Sequence, residues 1–177
     1  MNHVSVKAGP LVPSVVKGKR SARRAAMIAG EVDSMEDEPM AEQNQAPAGG
    51  VAAHLTIRDG RGSEAVKFYE DAFGAKEEMR HLADDGQRLM HSHLALNGGS
   101  LMLNDDFPEF RGGTAAPAPG GLTLHLQVPD ADSAWDKAVA AGASVKMPLE
   151  DQFWGDRYGQ LEDPFGFCWS IGGPQKG

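Results

Sequence analysis

From position 51 onward, apolar and polar residues alternate, shift to a helical period and then alternate again, in an order that occurs twice. AHLTIR (53–58) sets Leu55 and Ile57 on one face and His54, Thr56 and Arg58 on the other, the two-residue period of a half-buried strand. After a DGRG turn, Ser63 is placed to cap a helix whose apolar stripe is Ala65, Val66, Tyr69, Ala72 and Phe73, and Gly74 ends it. Strands follow near 75–82, 88–96 and 100–104, joined by the turn signals DDG and NGG.

The second half runs through the same order. GLTLHLQV (121–128) reads as a strand, Asp130 or Asp132 as a cap, and Ala131, Ala134, Trp135, Ala138 and Val139 as the stripe of a helix that Gly142 ends. FGAKEEM (73–79) parallels AGASVKM (141–147), and LTIR (55–58) parallels LTLH (122–125). A repeat of about 68 residues is too long for a solenoid and indicates a duplicated βαβββ module. Modules at 51–110 and 120–173 predict an α+β domain: one curved eight-stranded mixed sheet, helices on its convex face, a cleft on its concave one.

Charge marks the boundary of that domain. Residues 1–30 carry Lys7, Lys17, Lys19, Arg20, Arg23 and Arg24 and no acid, whereas residues 31–50 carry acids and no base. These first fifty residues, rich in Pro, Ala, Gly, Gln and Ser, lack a sustained apolar period and are expected to be a disordered extension; Met40 is a credible alternative start. The net charge of −8 argues against a nucleic-acid partner, because a phosphate backbone needs a basic surface. The acidic balance favours cationic ligands. No apolar run approaches the roughly 20 residues of a membrane-spanning helix. The single Cys168 cannot form an internal disulfide, which fits the cytoplasm.

If the leucines and isoleucines pack beneath the helices, strand alternation turns the residues between them toward the cleft. His54, Thr56 and Arg58 then face it from the first strand, His91, His93 and Ala95 from the third, Thr123, His125 and Gln127 from the fifth, and Cys168 and Ser170 from the last. Four imidazoles in one concavity admit three uses: metal binding, proton transfer, or plain hydrogen bonding within a polar ligand cavity. FWGDRYG (153–159) adds Trp154 to cover a ligand and Arg157 to pair with an anion, with Asp156 as the alternative partner of Arg157. Asp105 and Asp106 either approach the cleft mouth or form a solvated turn. EDPFG (162–166) reads as a β-turn, and Cys168 as a wall residue without a base to activate it.

With EAVKFYEDAFGA, HSHLALNGGSLMLND, AWDKAVAAGA and FWGDRYGQLEDPFGFCWSIG set on paired βαβββ modules, the chain over about 53–172 resembles the vicinal oxygen chelate superfamily. This is the glyoxalase and bleomycin-resistance fold, and the PhnB-like branch is the nearest in pattern. The resemblance implies a homodimer whose cleft is completed near the subunit interface, and a small-molecule ligand held there. It also implies, in the metal-dependent members, ligands from the first and fifth strands, usually His, and from the fourth and eighth, usually Glu. His54 matches the first of these positions. Thr123 stands near the fifth-strand position with His125 beyond it, Ser170 stands where a carboxylate is expected, and LMLN (101–104) has no Glu. A small-molecule binder without the usual metal or other cofactor is therefore expected. The alternative is an isomerase, lyase or dioxygenase using a divalent metal on His54 and His125.

Overall fold

The computed structural model describes residues 49–176; the expected extension and the start at Met40 lie outside the described residues. The element order is β1 (Ala53–Ile57), α1 (Gly62–Phe73), β2 (Lys76–Leu82), β3 (Leu89–Leu96) and β4 (Gly99–Asp105), then a short 3-10 turn at Pro108–Arg111. It resumes as β5 (Thr123–Gln127), α2 (Ala131–Ala140), β6 (Ser144–Asp151), β7 (Asp156–Glu162) and β8 (Cys168–Pro174). The fold is thus the expected α+β class with a duplicated βαβββ module.

Strand alternation accounts for the core. Leu55, Ile57, Leu94, Leu101 and Leu103 point inward from the first module, Leu161, Trp169 and Ile171 from the second, all buried. The inner faces of both sheets and one side of each helix share a single apolar cluster, in which α1 packs beside α2. Phe68, outside the expected stripe, is 6% exposed and packs edge-on against Tyr69, Phe73 and Phe165. Val139, inside the expected stripe, is 39% exposed. Trp135 lies so close to β7 that only glycine fits at Gly159, where a Cβ would stand 2.6 Å from the indole and 2.8 Å from the Leu149 Cα.

Two parts of the sequence reading are revised. The eight strands are hydrogen-bonded as two four-stranded sheets, in the orders β1-β4-β3-β2 and β5-β8-β7-β6, rather than as one continuous ladder within the chain. The pairs β1–β4 and β5–β8 are parallel and the others antiparallel, and the sheet order leaves β1 and β5 as edge strands. Helix α1 begins at Gly62, not after Ser63, and has no side-chain cap from its own N-cap residue, Arg61. The cap comes from β4 instead: Asp105, fully buried, accepts from the Gly62 N–H at 2.6 Å and from the Leu89 N–H at 2.6 Å. The Ser63 hydroxyl accepts from Arg80. In α2, by contrast, Asp130 caps locally by accepting from the Ser133 N–H at 3.1 Å.

Candidate functional site

Each sheet has one face turned into the core, which leaves the opposite face of each to carry chemistry. On the outer face of the first sheet, His54 stands opposite Met102 of β4, Met102 opposite His93 of β3, and His93 opposite Met79 of β2. His54 is exposed, Thr56 half-buried, and Arg58 exposed just beyond the strand. The His54 and His91 rings meet edge-on with centroids 5.7 Å apart. Burial, then the imidazoles of His54, His81 and His93, hold the pKa of His91 below the usual range, so it is neutral at pH 7. His93 is 4% exposed and shares a 3.0 Å hydrogen bond with the Ser100 hydroxyl. At the end of this face a cavity of about 250 Å³ is walled by Thr56, Met90, Asn104, Phe107, Phe110 and Arg111.

The outer face of the second sheet carries exposed Thr123, His125 and Gln127 on β5 and the buried hydroxyl of Ser170 on β8. Both His125 ring nitrogens are engaged: Nε2 lies 2.9 Å from Gln127 Oε1 and Nδ1 lies 2.8 Å from Ser170 Oγ. With a carbonyl oxygen at Nε2, the neutral ring donates there and accepts the Ser170 hydroxyl proton at Nδ1. Gly172 makes room for this pair, since a Cβ there would fall 2.8 Å from Gln127 Oε1 and 2.9 Å from His125 Cε1. From His125 a series of ring contacts runs to the β6–β7 hairpin: Tyr158 at 6.1 Å, then Trp154 at 5.7 Å from Tyr158, then Phe153 at 5.0 Å from Trp154. Trp154 is half exposed. A cavity of about 210 Å³ where the modules meet is lined by Ala53, Leu96, Ser100, Leu124, His125 and Trp169.

The structure separates other expected site residues from these faces. Arg157 shares the inward parity of Gly159 and Leu161, and its guanidinium is held by Asp132 of α2 at 2.7 Å and by Asp151 at 3.3 Å, not by Asp156. Asp105 is fully buried and is no cleft group, whereas Asp106 lines the cavity at the end of the first sheet's outer face. Asp106, 8% exposed, pairs with Arg111 and accepts from the Ala116 N–H. Asp163, in the EDPFG turn, has a role the sequence reading missed. Its Oδ1 accepts from the Phe165 and Phe167 N–H groups and its Oδ2 from the Tyr69 hydroxyl and the Trp169 indole, all at 2.8–3.0 Å. Burial pushes its pKa above the usual carboxylate range, and the four donors pull the other way.

The donor set does not fit a carboxylate-bearing divalent metal site. Among the described residues no three His, Cys, Asp or Glu side chains converge. On β4, Met102 and Asn104 face outward, and on β8 Ser170 is committed to His125. The convergent set of three or four donors that zinc, magnesium and calcium need is therefore not assembled on either outer face taken alone, among the described residues.

Comparison with known proteins places this architecture. Residues 51–171 match the family model for the Glyoxalase/Bleomycin resistance protein/Dioxygenase superfamily. An uncharacterized protein of Mycobacterium tuberculosis strain H37Rv is 44% identical over 130 residues, covering 71% of this chain and 75% of that one. The crystal structure of an Arabidopsis thaliana gene product is 30% identical, with a TM-score of 0.56, covering 70% of this chain and 97% of that one. A PhnB protein from Bacillus cereus shares the fold at 17% identity and a TM-score of 0.52, over 68% of this chain and 96% of that one. With its duplicated modules, its two outer sheet faces and a family match over most of its length, the chain belongs to the glyoxalase, bleomycin resistance protein and dioxygenase superfamily.

Proposed function

We propose that the protein is a PhnB-like small-molecule binder of this superfamily, cytoplasmic and homodimeric, whose ligand lies between outer sheet faces brought together by a second copy. One observation carries this reading: the outer face of the first sheet presents His54, Thr56 and His91 and that of the second presents Thr123, His125, Gln127 and Tyr158, while the large aliphatic residues of the strands are spent on the shared inner core. A face so rich in polar and aromatic groups is what a ligand cleft uses for orientation and contact. Within one chain each face is open, and the edges of β1 and β5 carry unpaired backbone groups that a second copy can cover. On the second sheet Tyr158 stands opposite Glu150 and two residues from Asp156, and neither carboxylate is in an ion pair among the described residues. Rings flanked by unpaired carboxylates suit a cationic aromatic ligand.

Sedimentation of the full chain tests the dimer, and a thermal-shift screen of cationic and aromatic compounds tests the ligand. A hit at 100 times its Kd stabilises by about 2.7 kcal/mol, and Tyr158→Ala should abolish that shift. A monomer that no compound in the screen stabilises would overturn the reading.

A further inference from the structure

A cavity of about 250 Å³ opens where β1 and β4 end on the first sheet, and part of its wall is the chain that follows β4. That wall is pinned. Asp106, 8% exposed, donates its N–H to the Ile57 carbonyl, pairs with Arg111 and accepts from the Ala116 N–H, while the Phe110 and Gly113 N–H groups return to the Phe107 and Pro108 carbonyls. Phe107 and Phe110 stack with centroids 5.4 Å apart, and the Arg88 guanidinium lies 4.4 Å from the Phe107 ring. Phe110 nevertheless stays 72% exposed and Met90 40%, so two large apolar side chains are held at this cavity rather than in the core.

The polar groups along the cavity set its chemistry. Thr56 and Asn104, both half-buried, are register partners on β1 and β4. Asn104 Nδ2 donates to the Asp105 carbonyl, which leaves Oδ1 to accept, and the Thr56 hydroxyl, able to donate and to accept, has no partner among the described residues. Charge at the cavity cancels: Arg111 is spent on Asp106, and Arg88 on Asp85 and Glu109. A carboxylate or an amidinium entering here would leave water without a free counter-charge, whereas a neutral hydrogen-bonding group exchanges water for Thr56 and Asn104 at little cost.

We propose that this cavity binds an uncharged planar ring bearing a group that both donates and accepts hydrogen bonds, a carboxamide or a phenol, with the ring against Phe110 and Met90 and the polar group on Thr56 and Asn104. An apolar cavity of about 150 Å³ holds benzene, so the larger volume here suits a substituted ring or a fused pair. The pinned wall loses little freedom when the ring enters. Every wall comes from one chain, so the site goes beyond the reading above and needs neither a second copy nor Tyr158.

The test is a benzamide titration of the nitrogen-15-labelled full chain, followed by proton–nitrogen NMR, with benzoate and benzamidine as the anionic and cationic counterparts of the same shape. Benzamide should give saturable shifts at the Thr56 and Phe110 backbone amides and at the Asn104 side-chain amide, and each charged compound should bind about tenfold more weakly. Phe110→Ala, at an exposed position, should weaken benzamide about tenfold, Thr56→Val should weaken it severalfold, and Tyr158→Ala should leave it unchanged. Circular dichroism of each variant confirms the fold. Absence of saturable shifts at these residues would overturn the site. So would benzoate or benzamidine bound as tightly as benzamide, affinity that survives Phe110→Ala, or benzamide binding lost in Tyr158→Ala, which would put the ring on the second sheet. A monomeric chain without a cationic hit, by contrast, overturns the reading above and leaves this site standing.

Discussion

The Tyr69 hydroxyl donates to Asp163 Oδ2 at 2.8 Å and so ties α1 of the first module to the β7–β8 turn of the second, 94 residues along the chain. Both groups are buried, Tyr69 completely. The Trp169 indole donates to the same oxygen, and the Tyr69 and Trp169 rings lie 5.5 Å apart, so one carboxylate orders the aromatic centre of the core. Tyr69→Phe keeps the ring and removes one donor to a buried carboxylate. Hydrogen bonds to charged groups contribute about 1.5–3 kcal/mol, and urea denaturation should show a loss in that range. Asp163→Leu strands four donors at once and should cost more; a loss no larger than that of Tyr69→Phe would refute the hub.

Gly62 is where β4 caps α1. A Cβ at this position would sit 2.8 Å from both Asp105 carboxylate oxygens, and the carboxylate cannot retreat without releasing the Gly62 and Leu89 N–H groups. Overpacking a buried site costs about 1–3 kcal/mol, so Gly62→Ala should lower the urea midpoint with an unchanged m-value. Gly60→Ala, two residues away with nothing within 4 Å of the added Cβ but a φ of +68°, separates strain from crowding: its smaller loss should reflect backbone conformation alone.

These two carboxylates also show where sequence legibility ends. Period-two alternation placed His54 opposite in sense to Leu55, and His125 to Leu126, because a pleated strand with one buried face leaves no other assignment. Asn97 and Gly98, both at positive φ, form the hairpin that NGG announced. Asp105 and Asp163 gave no such signal. A carboxylate that holds backbone N–H groups across long sequence separations belongs to no periodic pattern, and the local Ser63 was the more visible cap. For Arg157 the sequence offers an anionic ligand or Asp156 as partner; counting parity back from Leu161 and Gly159 sets it on the inner side of β7, where Asp132 pairs with it. Alternation is equally silent on whether β1 and β5 ladder within a chain, since it reports faces and not edges.

The Asp132–Arg157 pair sets a pH dependence. Hydrogen bonds from Arg157 and then Lys176 lower the Asp132 pKa from 3.8 to about 2. A depressed folded pKa means that its stabilisation is complete above the unfolded value near 3.8 and is lost as pH falls toward 2. Arg157→Met should return the Asp132 carboxyl titration, followed by carbon NMR, toward 3.8, and should flatten the acid limb of the stability curve between pH 4 and 2. An Asp132 titration that stays near 2 in the variant would assign the shift to Lys176 instead.

His125 is held in one tautomer by its neighbours, and that tautomer decides what it can offer a ligand. Gln127 Oε1 accepts from Nε2–H and the Ser170 hydroxyl donates to Nδ1, so in the free protein neither nitrogen is idle. A ligand that reaches His125 must displace Gln127, the exposed partner, because Ser170 is 2% exposed and anchored within the sheet. Long-range proton–nitrogen NMR above the imidazole pKa should therefore find Nε2 protonated and Nδ1 bare. Gln127→Ala should uncover Nε2 for the ligand and release the tautomer, because the Ser170 hydroxyl can either donate to Nδ1 or accept from it. Ser170→Ala should keep Nε2–H through Gln127 while leaving Nδ1 without its donor, and so should lower affinity only through loss of ring positioning. Gly172→Ala, which drives a methyl into the space shared by His125 and Gln127, should lose binding with little loss of stability, since the displaced side chains are exposed. If instead Gly172→Ala unfolds the protein and leaves affinity in the surviving fraction intact, the glycine serves strand packing, and His125 is not the group the ligand meets.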